Sequence, residues 1–303
     1  MNKKLLILTM SVRQSKYEAD RVEEEARKRG VEVWRALYRE LNFEVGEKGV
    51  VVRVGEVEID ERNLLGIWFR VAGTVSGKYT VGRDMLIRAL RGRVRMDNEE
   101  SYTKWQRMGK ISQYARFVEG GVPVIPSRIF FSKTDLDGGW RQMVEDLGWP
   151  VICKFEKGYQ GKGVRKLDGE RELKEWIEKL EEKDLGTYMW QKYLPTRWDL
   201  RIIVVGGEAI GAMKREAVGE DFRSNYSVGG KVSRWEMTEE EKRLAEQVAE
   251  VCGLDYGGVD VMKDENGNNY ILEVNRQCQF MGFEKATGVN VAKKVVDMYL
   301  KEG

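Results

Sequence analysis

The chain contains no histidine. That absence excludes a Ser-His-Asp triad, a histidine-ligated zinc centre and a histidine acid–base pair together. Any metal must then be held mainly by oxygen, which favours Mg²⁺, Mn²⁺ or Ca²⁺. Cysteine is scarce: Cys153, Cys252 and Cys278 lie far apart, with no CxxC spacing. An odd, sparse set suits reduced thiols and a cytoplasmic location. No apolar run approaches the roughly 20 residues of a membrane span. The opening run in MNKKLLILTM is about six residues, shorter than a signal-peptide core, and charge follows at Arg13, so a first buried strand is expected there. Nor is there an excess of either charge. With 52 Lys+Arg against 50 Asp+Glu there is no bulk electrostatic case for nucleic acid.

What the chain does have is core-forming material. Of 303 residues, 42% are hydrophobic and nine are tryptophan, enough for one large domain or two to three small ones. Strand and helix patterns alternate to about residue 95 in the manner of a small α/β domain. The segment NEESYTKWQRMGKISQYARFVEGG predicts one helical stretch ending at Gly120-Gly121. Thr238 with Glu241 forms a capping-box pattern for a helix to Cys252, and Gly206-Gly207 and Asn266-Gly267 mark hairpin turns.

Four apolar strands carry charged or amide residues on one face. VICKFE places Lys154 opposite Val151, Cys153 and Phe155. WDLRIIVV places Asp199 and Arg201 opposite Leu200, Ile202 and Val204. GGVDVM presents Asp260, and ILEVN sets Glu273 and Asn275 opposite Leu272 and Val274. Taken singly, each fits an ordinary half-solvated antiparallel sheet. Taken together, Asp260, Glu273 and Asn275 form an oxygen cluster if those faces converge. Glu273 and Asn275 would then lie about 7 Å apart, a span suited to two metal ions about 3.5–4 Å apart.

Two loops add to this. KGYQGKGV lets Gly158, Gly161 and Gly163 bring backbone N–H groups to phosphate oxygens, with Lys154 just upstream, though a glycine-rich hairpin turn reads equally well. It lacks P-loop spacing. KREAVGEDFRSNYSVGG carries Arg215, Arg223, Ser224 and Asn225 and reads either as an anion clamp or as a solvated basic loop.

From Lys110 to Leu300 the ordered motifs GKISQYARF, VICKFEKGYQGKGV, MWQKYL, DLRIIVVGG, KREAVGEDFRSNYSVGG, GVDVM and LEVN…GFEKATGVNVAK resemble the ATP-grasp superfamily, and within it the RimK-like carboxylate–amine ligases. The resemblance implies an α/β (α+β ATP-grasp) fold: a small N-terminal α/β domain over 1–95, then two α+β subdomains clasping ATP, over 96–190 with the linker helix and over 191–303. It implies ATP and two Mg²⁺ ions, with Mn²⁺ as a substitute. Lys110 and Lys154 would contact phosphates, Gly161 and Gly163 the loop over them. Gln191, Tyr193 and Leu194 would form the adenine hinge, with Asp199 near the ribose. Asp260, Glu273 and Asn275 would hold the metals. Arg201 and Arg215 would stabilise the transferred phosphoryl group and the acyl intermediate, and Arg223, Ser224 and Asn225 would serve the acceptor side.

The implied reaction has a carboxylate attack the γ-phosphate of ATP; an amine then displaces phosphate from the acyl phosphate and an amide forms. The partners would be an amino acid such as glutamate and a peptide, protein or small-carboxylate acceptor. Relatives are often dimers or tetramers, which admits a homo-oligomer. The chain departs from the family at Lys192 in the hinge, at Gly109 where Asp-Lys is usual, and at NRQCQFMGFE, where Arg276, Gln277 and Phe280 would reshape the substrate end. A peptide-modifying ligase that makes side-chain ester or amide crosslinks is the near alternative. A non-catalytic nucleotide-binding protein is the distant one, opposed by the retained Asp260, Glu273 and Asn275.

Overall fold

The computed structural model of the chain describes residues 3–13, 15–70, 78–156, 163–219 and 230–301. The N-terminal third runs β1 (Lys4–Thr9), α1 (Lys16–Arg27), β2 (Glu32–Leu37), β3 (Leu41–Gly46), β4 (Gly49–Val54), β5 (Val57–Glu58), β6 (Leu64–Phe69), α2 (Lys78–Leu90) and β7 (Arg95–Met96). The middle runs α3 (Glu99–Lys104), α4 (Lys110–Glu119), β8 (Ser127–Arg128), α5 (Lys133–Leu147), β9 (Val151–Phe155), β10 (Val164–Leu167), α6 (Glu170–Lys179) and β11 (Tyr188–Lys192). The last third runs β12 (Trp198–Val205), β13 (Glu208–Glu216), β14 (Lys231–Trp235), α7 (Glu239–Val251), β15 (Tyr256–Lys263), β16 (Asn269–Asn275), α8 (Met281–Thr287) and α9 (Val291–Leu300).

Four sheets result. The first, β2-β1-β6-β7, is parallel, and its middle strand β1 is buried on both faces, as its unbroken LLIL run requires. A small antiparallel ribbon, β3-β4-β5, packs Val52 and Val54 into the same N-terminal core. The third sheet is β10-β9-β11-β8 and the fourth β14-β13-β12-β15-β16, and their strand pairings are antiparallel. The chain's end returns to its beginning. Helix α9 packs against α1 and shares a core with Leu5, Ile7 and Trp68 of the first sheet. Ion pairs and hydrogen bonds from Arg29 to Asp297 (2.8 Å) and from Tyr17 to Glu284 (2.8 Å) seal that seam.

The helix expected across 98–121 is two helices. The chain leaves α3 at Trp105 in an extended conformation and resumes at Lys110. Three arginines stabilise the break. Arg276 donates to the carbonyls of Trp105 (2.6 Å) and Gln106 (3.2 Å), and Arg83 also donates to Gln106 (3.1 Å). The guanidinium of Arg116 lies 3.4 Å from the centroid of Trp105. Backbone carbonyls released from a helix need such partners.

The fourth sheet also departs from simple alternation. Register slips between Asp260 and Val261, so that Asp260 faces Glu273 but Val261 faces Ile271. Leu272 is the extra residue of a β-bulge, and Ile271 rather than Leu272 shares the buried face with Val274. This sheet is not half-solvated. Leu200, Ile202 and Val204 of β12 enter the core under α7, while Ile203 and Val205 enter the core shared with α9. Asp199 and Arg201 therefore share a strand face with the buried Ile203 and Val205.

The α3 region is anchored by Asn98. Its Oδ1 accepts from the N–H groups of Asp255 (2.8 Å) and Tyr256 (2.9 Å), and its Nδ2 donates to the carbonyls of Tyr256 (2.8 Å) and Arg276 (2.9 Å). Its φ of 54° lies in the left-handed region, which asparagine tolerates better than alanine. Asn98→Ala is expected to lower unfolding free energy by about 3 kcal/mol or more, from unsatisfied buried groups plus backbone strain. An unchanged urea midpoint would contradict this.

Candidate active site

Backbone register assembles the site. Asp199 on β12 lies opposite Arg215 on β13, Arg201 on β12 opposite Asp260 on β15, and Asp260 opposite Glu273 on β16. The side chains follow. Arg201 engages both carboxylate oxygens of Asp260, with Nη2 donating to Oδ2 at 2.8 Å and Nε donating to Oδ1. Arg215 bridges two acids: its Nη2 lies 3.0 Å from Asp260 Oδ2 and 2.5 Å from Asp199 Oδ1. Asp199 and Asp260 are each 3% exposed. Burial raises the proton affinity of Asp260, but the Arg201 and Arg215 charges outweigh it and hold its carboxyl below the usual range. Both arginines have their pKa raised, burial notwithstanding, chiefly by the facing aspartates.

Glu273 occupies the edge of this row. Lys110 Nζ lies 3.3 Å from its Oε2, and Asn275 Nδ2 donates to its Oε1 at 3.2 Å. Lys154, on β9 of the neighbouring sheet, is pushed down to about 8 by burial. The Glu273 charge opposes that shift and Lys110 adds to it. Two carboxylates and an amide on adjoining strands thus face two lysines. Of the roughly four lone-pair sites on a carboxylate, Asp260 uses three on the arginines, leaving one on Oδ1 directed elsewhere. Glu273 meets a flexible ammonium and an amide. These all-oxygen donors fit a hard divalent cation such as Mg²⁺. Among the described residues no group of three or more Cys, His, Asp or Glu converges as a metal cluster; the third donor here is Asn275.

Other expected residues fall in several places. Gln191 is buried and its Nε2 donates to the hydroxyls of Tyr114 (2.6 Å) and Ser127 (3.0 Å), and its strand is paired on both sides, with Ser127 and Ile152. Tyr193 and Leu194 follow β11 in the connection to β12, with Lys166 Nζ 5.2 Å from the Tyr193 ring centroid. Gly163, at φ +86°, closes the glycine segment, its carbonyl accepting from Phe155 N–H at 2.8 Å. Gly161, Arg223, Ser224 and Asn225 lie outside the described residues. Arg276 is engaged with the α3–α4 connection and lies 4.4 Å from the Tyr102 ring centroid. Phe280 is fully buried in the core shared by the chain's two ends. All three cysteines are free and buried.

One important residue escaped the sequence reading. Gln113 on α4 straddles the backbone of Val274: its Oε1 accepts from Val274 N–H (2.7 Å) and its Nε2 donates to Val274 C=O (3.2 Å). It therefore fixes the strand between Glu273 and Asn275. Its position inside the GKISQYARF motif was the available signal.

Comparison with known proteins identifies the family. The model for the RimK-like ATP-grasp domain matches residues 118–299. A probable alpha-L-glutamate ligase of Picosynechococcus sp. is 34% identical over 171 residues, covering 55% of this chain and 54% of that protein. The chain spans about half the length of the curated relatives it matches. Over the whole chain the fold is similar to that of the ATP-grasp ligase PsnB complexed with minimal precursor (TM-score 0.77, 21% identity, 99% of both chains). It is also similar to the macrocyclase MdnB from Microcystis aeruginosa MRC (TM-score 0.73, 17% identity, 99% of this chain and all of that one). The fold is that of the ATP-grasp ligases, and the chain belongs to the RimK-like ATP-grasp domain family.

Proposed function

We propose that the chain is an ATP-dependent carboxylate–amine ligase. It would form an amide through an acyl phosphate, joining an amino acid such as glutamate to a peptide, protein or small carboxylate. The observation that carries this reading is the contiguous charge row: Lys110 on Glu273, Glu273 opposite Asp260, and Asp260 shared by Arg201 and Arg215. Phosphoryl transfer needs positioning and charge neutralisation more than covalent help from the protein, which suits a chain without histidine.

In this reading Lys110 and Lys154 bind the phosphates of ATP from two sides, and the backbone after β11, through Tyr193 and Leu194, receives the base. Asp199 lies toward the ribose side while orienting Arg215. Asp260, Glu273 and Asn275 would hold Mg²⁺, one or two ions, which when bound neutralises the triphosphate and polarises its terminal phosphoryl group. Arg201 and Arg215 offer buried guanidinium groups to the charge that develops as the substrate carboxylate attacks and as the amine displaces phosphate. Arg223, Ser224 and Asn225 are assigned to the acceptor, and Arg276 to shaping the substrate end through the α3–α4 connection. We divide the chain into three parts at about residues 95 and 190, cuts that fall within β7 and β11. The second reading, crosslinking of a precursor peptide's own side chains, is favoured by whole-chain similarity to PsnB and MdnB.

Product mass separates the two readings: amino-acid ligation adds a residue mass to the acceptor, whereas crosslinking removes one water. Finding neither product, with no ATP-dependent phosphate release across amino acids and candidate peptides, would overturn both. Arg215→Ala is expected to lower the turnover rate by about 10²–10³. Glu273→Ala should raise the Mg²⁺ concentration needed for ATP-dependent phosphate release, and an unchanged requirement would refute the metal assignment.

The pKa of Lys154 adds a pH signature. The side chain is charged below about 8 and neutral above it. Triphosphate favours the charged form, so affinity for a non-hydrolysable ATP analogue should be level below that pH. Above it, affinity should fall by up to about tenfold per pH unit until the bound-state pKa is reached. Lys154→Met should abolish this slope; an identical slope in the variant would assign it to another group.

A further inference from the structure

A carboxylate just beyond Lys154 has no part in the reading above. Glu156 follows β9, and its backbone N–H is held by Thr187 C=O at 2.7 Å. Its side chain crosses to another element. Oε2 accepts the N–H of Ile111, in the first turn of α4, at 2.7 Å. The residue before that helix, Gly109, has no side chain to act as a cap, and its φ of −87° and ψ of 172° are open to any residue. Space, not backbone conformation, is what a side chain there would contest. A Cβ at 109 would stand 1.6 Å from Glu156 Oε1. The Glu156 carboxylate occupies the place from which a local capping side chain would act.

The consequence is mechanical. Helix α4 begins with Lys110 and is fastened through Gln113 to Val274, between Glu273 and Asn275. Strand β9 carries Lys154 in the other sheet. Glu156 ties β9 to α4. It therefore bridges the sheet carrying Lys154 and the sheet carrying the acidic residues, at the level of the two lysines.

We propose that Glu156 is a positioning residue, a helix cap supplied from the end of the strand that carries Lys154, that sets the placement of Lys154 relative to Lys110 and Glu273 and thereby the affinity for Mg²⁺–ATP. This rests on the nucleotide-binding reading above. The carboxylate both satisfies a helix N-terminus, where negative charge is favoured, and holds the two halves of the phosphate site in register.

The test separates capping from bridging. In Glu156→Ala both are lost. In the double variant Gly109→Asp/Glu156→Ala the new aspartate caps α4 locally, so the cap returns without the bridge. Thermal midpoint and calorimetric binding of the non-hydrolysable analogue AMPPNP with Mg²⁺ are measured on the full chain. Glu156→Ala is expected to lower the midpoint and raise Kd about tenfold, the lower end of what loss of an orienting outer-shell partner costs a site. The double variant should recover the midpoint while Kd stays raised, and Glu156→Gln, which can still accept from Ile111, should recover part of both. Wild-type Kd in Glu156→Ala, or recovery of both quantities in the double variant, would overturn the bridging role. Failure of the wild-type chain to bind the analogue would instead overturn the nucleotide reading, and this role with it.

Discussion

Asp260 and Glu273 are held opposite each other on paired strands, and like charges in that position repel. Much of the surrounding structure answers that repulsion. Arg201 and Arg215 reach Asp260 from strands on the same sheet, Lys110 reaches Glu273 from a helix end, and Lys154 approaches from the next sheet. Buried ions cost several kcal/mol each unless they are closely paired and hydrogen-bonded. Even when so paired, buried ions are commonly no more stabilising than apolar residues of similar volume, and such a row is expected of groups kept for binding or chemistry.

The same constraint explains the local backbone. A bulge at Leu272 lets the strand keep Ile271 and Val274 in the core while Glu273 and Asn275 share the other face, where Lys110 meets Glu273. Gln113 then pins Val274 by both its backbone groups, so the two flanking side chains cannot drift along the strand. The broken α3–α4 segment places Lys110 at a helix start, where it can bend back toward Glu273. Arg276 and Arg83 stabilise the break.

Much of this was legible in the sequence. Charged residues in apolar strands, glycine turns and the Thr238–Glu241 capping box are local signals, and the helix, strands and turns they mark are present. The order of motifs pointed to the ATP-grasp fold. What escaped depended on contacts between distant parts of the chain. Strict alternation placed Leu272 in the core because a bulge leaves no mark in a run of apolar residues. The role of Gln113 requires a partner far along the chain, at Val274. Gly109 reads as a departure from the family's usual pattern, and the Glu156 carboxylate fills the space where a side chain would stand. The helix α2 carries weak periodicity, α8 is a short helix, and β3 alternates strictly over LNFEV, yet the sequence reading assigned none of the three.

The central claim is that Asp260, Glu273 and Asn275 act as one oxygen-donor set for a divalent ion on the phosphates of ATP. Crystals of the chain grown with Mn²⁺ and AMPPNP would test it most directly through the anomalous signal of manganese. The account predicts anomalous density at about 2 Å from side-chain oxygens of all three residues, shared with the nucleotide's phosphates. Manganese bound to the phosphates but contacting none of the three, or found away from β15 and β16, would contradict it.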